Sequence, residues 1–181
     1  MITYKFDDAL KDVAIINPDV FYDHRGCYVE TFNKKNYEVF LDDSDNPIEF
    51  VQDDVSVSIK NTLRGLHGDD VTWKLVQCLK GSILLAVVDM RKDSDTYLSW
   101  QTFALSEANK IQVLVPPKFA NGHLCLSDAC IFSYKQSTYY HGQEKQFTIG
   151  WNDPSIGIFW PVKNPILSLR DSAPLPVSEA K

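Results

Sequence analysis

The segment LRGLHGDDVTWKLV, residues 63–76, sets Arg64, His67 and Lys74 within eleven residues, in a chain with four histidines in all. An imidazole is the side chain best suited to take or give a proton near neutral pH. A guanidinium offers a planar fork of donors for phosphate or carboxylate. An ammonium pointing inward from a strand can stabilise a developing oxyanion. Gly65 and Gly68 lie on either side of the histidine, so the backbone there can turn tightly or approach a ligand closely. If 63–67 and 73–79 are neighbouring strands, alternation places all three side chains on one concave face. Two readings stand at this level: a pocket that handles an anion and moves protons, or a solvated charged edge with a structural histidine.

A metal centre would need three or four converging ligands. Metal sites in β-barrels use an HxH pair with a nearby glutamate and a further histidine. Here His67 is followed by Gly68 and Asp69, and His24, His123 and His141 lie far along the chain. No metal is expected. Cys27, Cys78, Cys125 and Cys130 lack CxxC spacing and read as reduced core thiols.

The 181 residues fit one ordinary domain, and 44% hydrophobic with 23% charged residues is a soluble globular balance. A net charge of -6 argues against a general nucleic-acid or membrane-surface binder. No apolar run reaches the roughly 20 residues that span a bilayer. The start, MITYKFDDALKDV, has no signal-peptide pattern, and the expected location is the cytoplasm.

The elements that must hold these residues are strands. Alternating or continuously apolar segments recur at 50–59, 75–79, 82–90, 100–105, 111–116, 123–127 and 130–140, separated by turn residues. The run SILLAVVDM is apolar throughout, as in a strand buried on both faces. Asn33 is placed to cap a short helix over KKNYEVFL, and Pro154 marks a short helical turn in NDPSIG. The tail from about 172 to 181, with two prolines, reads as loosely packed. An antiparallel sandwich or barrel follows.

Nine ordered blocks between residues 13 and 176 resemble the nucleotide-sugar 3,5-epimerases, the family of dTDP-4-dehydrorhamnose 3,5-epimerase. They are DHRGCYVETF, FVQDDVSVS, LRGLH, KLV, GSILLAVVDMRKDS, PPKFANGHLCLS, YKQSTYY, WNDPSIGIFWP and LSLRD. The resemblance implies an all-β, cupin-like double-stranded β-helix (a jelly-roll barrel) with a few short helices, as a single domain without a metal or other cofactor. It implies a homodimer in which the N-terminal region of one subunit completes the other's nucleotide site. By the same resemblance His67 matches the base, Asp171 the carboxylate that orients it, Lys74 the cation near an enolate oxygen, and Tyr134 the acid on the opposite face. Arg25, Arg64 and Arg170 match diphosphate contacts. Glu30 and Gln52 match residues facing the nucleoside, and Tyr140 an aromatic near base or diphosphate. The substrate class implied is a nucleoside-diphosphate 4-keto sugar of surface-polysaccharide synthesis.

Departures from the family pattern cluster around sugar and phosphate. HGDD replaces HFQ, FANGH replaces FAHGF, and FVQDD replaces FVQDN. Asn121 therefore stands where relatives have a second active-site histidine, with His123 two positions on and on the same face if this is a strand. Space beside Gly68 would suit a bulkier sugar, so the pattern looks closer to the GDP-linked 4-keto-heptose epimerases of capsule pathways than to the rhamnose enzyme, with GDP- or dTDP-linked sugars as the expected substrates. Inversion at C3 and C5, inversion at C3 alone, a 3,4-ketoisomerase, a non-catalytic binder and a metal-dependent oxygenase are the competing functions.

Overall fold

The computed structural model describes residues 2–174, 176 and 177. In chain order the strands are β1 (Thr3–Phe6), β2 (Ala14–Asn17), β3 (Val20–Asp23), β4 (Gly26–Val29), β5 (Gln52–Ile59), β6 (Leu63–Gly68) and β7 (Lys74–Lys80). They continue as β8 (Ser82–Asp89), β9 (Trp100–Ser106), β10 (Gln112–Val115), β11 (Phe119–Cys125), β12 (Ala129–Gln136) and β13 (Phe147–Thr148). Two one-turn α-helices, α1 (Lys34–Tyr37) and α2 (Leu169–Ser172), and a 3-10 turn at Gln143–Lys145 complete the set among the described residues. Asn33 caps α1 as expected, its Oδ1 accepting from Lys35 N at 3.2 Å. NDPSIG forms a hydrogen-bonded turn closed on the Asp153 carbonyl, without a helix.

One sheet runs β1-β2-β10-β7-β12-β5 and the other β13-β6-β11-β8-β9, with every pairing antiparallel. Counting the eight strands from β5 to β12, the first, eighth, third and sixth share one sheet. The second, seventh, fourth and fifth share the other. That is the jelly-roll order and the cupin-like barrel expected from the sequence. It corrects one local expectation. β6 and β7 are not neighbours; they lie in different sheets, so Arg64 and Lys74 come from opposite sheets of the barrel.

Alternation supplies the layers. Between the sheets lie Val76, Leu85, Val87, Phe103, Leu105, Val113, Val115 and Phe119. The outer face of the five-stranded sheet, including Leu63, Leu66 and Ala120, is covered by Ile149, Ile156, Trp160 and Val177. The outer face of β2, β7 and β10 is covered by Tyr37, Phe40 and Ile48. β8 is buried on both faces because it faces the interior and the C-terminal cover at once. Each fully buried aliphatic side chain contributes about 1.5–3 kcal/mol.

The tail is docked at one point: Val177 is buried and its backbone N–H donates to Asp153 Oδ2 at 3.0 Å. Leu175 and residues 178–181 of the expected loose tail lie outside the described residues. Three cysteines are core thiols, but Cys27 is exposed on the β3–β4 hairpin.

Candidate active site

Between the sheets, a cavity of about 310 Å³ is lined by Arg64 and His67 from β6, Asn121 and His123 from β11, and Ser56, Phe132 and Tyr134 from β5 and β12. Lys74, Tyr140, Arg170 and Asp171 complete its wall. Arg64 and His67 are three apart, and strict alternation would send them to opposite faces. A bulge prevents this. Asn121 pairs with His67 while His123 pairs with Arg64, so β6 carries one extra residue against β11. Gly65 sits in that bulge at φ +120°, where an added Cβ would come within 2.6 Å of Gly122 Cα.

His67 Nε2–H donates to Asp171 Oδ1 at 2.6 Å, linking residues 104 apart in sequence. An ionised carboxylate only accepts, so the shared proton sits on Nε2, and the neutral form of the ring carries its lone pair on Nδ1. Helix α2 is what brings Asp171 there. Ser168 caps it, its Oγ accepting from Asp171 N and donating to Asp171 Oδ2 at 2.9 Å. Burial works to raise the Asp171 carboxyl, yet the His67 ring, the Ser168 hydroxyl and the Gly65 backbone hold it below the ordinary carboxylate range.

Lys74 is buried and makes no ion pair among the described residues. Burial pulls its ammonium below the ordinary range, with Asp69 opposing and Arg170 assisting. Tyr134 stands on the sheet opposite His67. Its phenol is pushed up to about 12, by burial first and then by Asp54 and Tyr140. Asp54 is itself held by the side-chain amides of Gln52 and Gln136, each at 2.7 Å.

The remaining expected residues divide. Arg170 reaches the cavity and donates to Thr148 Oγ1 and Gln146 Oε1. Gln52 stands behind the wall, its Oε1 accepting from Tyr140 N at 2.8 Å. Glu30 accepts from Asn36, away from the cavity. Arg25 lies at the tip of the β3–β4 hairpin, exposed and paired with Asp23 at 2.6 Å. Within one chain, neither Glu30 nor Arg25 joins the site. Asn121 and His123 do share a face, and Asn121 Nδ2 donates to the His67 carbonyl at 3.2 Å. The expected space beside Gly68 is absent, because a Cβ there would meet Phe119 O and the Phe147 ring at 2.4 Å. Ser168 was not singled out by the sequence, where it signals itself only as a helix cap, and His123 was named only as the histidine two positions on from Asn121.

A larger groove of about 700 Å³ runs past Lys11, Asp12, Arg91 and Lys118, but Arg91 is committed to Asp89 and Asp12. Among the described residues no three His, Cys, Asp or Glu side chains cluster as metal ligands. No helix among them is long and apolar enough to cross a membrane.

Comparison with known proteins places this arrangement. The family model of dTDP-4-dehydrorhamnose 3,5-epimerase matches residues 7–179. The Escherichia coli K12 enzyme of that name is 43% identical over 166 residues, covering 90% of this chain and 88% of the relative. The Methanothermobacter thermautotrophicus enzyme of that name is 40% identical over 176 residues, covering 94% and 92%. A Legionella pneumophila dTDP-6-deoxy-D-glucose-3,5-epimerase, solved with dTDP-4-keto-L-rhamnose, superimposes with a TM-score of 0.91 at 35% identity over 99% of this chain and 94% of its own. The chain belongs to the dTDP-4-dehydrorhamnose 3,5-epimerase family and is an enzyme of the epimerase class.

Proposed function

We propose that the protein inverts C3 and C5 of a dTDP-linked 4-keto sugar. The observation that carries this reading is the His67–Asp171 pair at 2.6 Å, set across one cavity from Tyr134 with the buried Lys74 in the same wall. A ketone at C4 acidifies the C–H bonds on both sides of it. His67 Nδ1 takes a proton, the C–H electron pair becomes the C=C bond of an enolate, and the ketone oxygen becomes an alkoxide beside the Lys74 ammonium. The Tyr134 phenol then gives a proton to the opposite face as the enolate collapses to the ketone. Each proton-transfer group contributes about 10²–10⁴ in rate, and the oxyanion cation about 10²–10³. Asp171 keeps Nε2 protonated and stabilises the imidazolium that forms.

Arg64, Arg170 and Tyr140 are the nucleotide-diphosphate residues in this reading, with Gln52 fixing Tyr140. Arg25 and Glu30 serve the partner's site in a homodimer. The β3–β4 hairpin, paired only with itself and exposing Phe21, Tyr22 and Tyr28, is suited to reach another subunit. The names of the relatives favour dTDP over GDP. The reaction belongs to surface-polysaccharide sugar synthesis in the cytoplasm.

The test is incubation in heavy water with dTDP-linked and GDP-linked 4-keto sugars, followed by NMR. Deuterium should enter C3 and C5 of the dTDP sugar, and His67→Asn should abolish incorporation at C3. Unlabelled sugar would overturn the reading, and label confined to C3 would restrict it to one centre.

A further inference from the structure

The wall beside His67 carries an acceptor that the chain itself does not use. Asn121 is the cross-strand partner of His67, so the two side chains leave their strands on one face, with Cβ atoms about 5 Å apart. Both line the cavity. Asn121 Nδ2 donates to the His67 carbonyl at 3.2 Å. A carbonyl only accepts, so this bond fixes which end of the amide is nitrogen and which is oxygen. Oδ1 has no hydrogen-bond partner among the described residues. The sealed, partnerless polar atoms are Ser56 Oγ and His123 Nε2, and Asn121 Oδ1 is not one of them. It is open, and the space its side chain lines is the cavity. Asp171, the other acceptor at His67, already has Oδ1 engaged by the ring and Oδ2 by the Ser168 hydroxyl. A fixed, open acceptor next to a base suits a hydroxyl on the carbon that the base works on.

We propose that Asn121 Oδ1 accepts a hydrogen bond from the C3 hydroxyl of the bound sugar and so presents C3, rather than C5, to His67. This rests on the proposed function, in which His67 takes a proton from a carbon beside the C4 ketone. Both flanking carbons are acidified by that ketone, but they differ in what else they carry. C3 bears a hydroxyl, which can donate. C5 bears the ring oxygen and a carbon substituent, neither of which can. The amide on the neighbouring strand therefore favours the placement that brings C3 under the imidazole and disfavours the one that brings C5 there. Asn121 touches substrate in this arrangement but transfers no proton. An amide does not titrate, so the preference holds at every pH at which the fold stands.

Initial rates of deuterium entry at C3 and C5 in heavy water, read by NMR, test the contact. The substrates are the dTDP-linked 4-keto sugar and its 3-deoxy and 2-deoxy analogues, and the readout is the C3:C5 ratio (the C3 rate itself where C5 takes no label). Asn121→Ala should lower it about three- to tenfold with the parent sugar and with the 2-deoxy analogue. With the 3-deoxy analogue the substitution should change nothing. Comparing the two proteins on one substrate at a time cancels the intrinsic acidity of its C–H bonds. Asn121→Ser, whose hydroxyl is too short to reach the place of Oδ1, is the second variant and should give the same pattern. An unchanged ratio with the parent sugar, or an equal fall with the 3-deoxy analogue, would overturn the contact and leave the epimerase reading intact. A fall that vanishes with the 2-deoxy analogue instead would overturn the choice of C3. No label at either carbon with the unmodified chain would overturn the epimerase reading, and the contact with it.

Discussion

His67 and Tyr134 approach the cavity from opposite sheets, and in the proposed mechanism that separation divides their work. Tyr134 is held as a neutral phenol by burial and by the charge of Asp54, so it can give a proton but does not compete with His67 as a base. Tyr134→Phe should therefore lower deuterium entry at C5 by about 10²-fold or more while sparing C3 relative to it. NMR time courses at the two carbons measure this, and equal losses would remove the assigned division. His67 and Lys74 were picked out by residue type and spacing, and Tyr134 and Asp171 by the family pattern; the four line one cavity. Arg25 and Glu30 were legible only as matches to a family pattern. Nothing in their neighbourhood within one chain uses them.

At the level of elements, the bulge in β6 is the feature on which the site depends. It lets residues three apart share a wall, and it requires a residue without a side chain at position 65. Gly65→Ala should destabilise the fold by about 3 kcal/mol or more, through a positive φ and a clash with the β11 backbone. Urea unfolding measures it, and a loss below about 1 kcal/mol would mean that β11 can move aside. Periodicity announced β8 clearly, because a strand buried on both faces is apolar throughout. It announced neither β1 nor β2, which are four residues each, nor α2, whose single turn LRDS has no room for a helical stripe. The assumed adjacency of β6 and β7 failed for a topological reason. Local alternation carries no record of a crossover between sheets.

For the molecule as a whole, the covered and uncovered faces differ. α1 and the C-terminal segment shield two faces, but the edge strand β5 leaves Val55, Val57 and Ile59 exposed. An open apolar edge invites another chain, as the proposed homodimer would require. Val57→Glu should shift the protein to monomer in sedimentation velocity, and an unchanged dimer would place the interface elsewhere. Global stability should also carry the mark of His123. Its folded pKa of about 3 lies below the unfolded value near 6.5. The unfolded chain therefore binds the extra proton between those values, and stability is complete above pH 6.5 and falls as pH drops. The loss is about 2 kcal/mol between pH 7 and 5. His123→Phe should flatten that limb in denaturant titrations, and identical limbs in both proteins would show that the ring is already charged when folded.

The carboxylate that steadies His67 comes from a single helical turn that follows every strand of the barrel. During translation the imidazole is thus made long before its companion leaves the ribosome. A nascent chain halted short of Ser168 holds all thirteen strands and still lacks the group that sets its proton in place. In the proposed mechanism, turnover therefore requires that the chain has been made at least as far as Asp171.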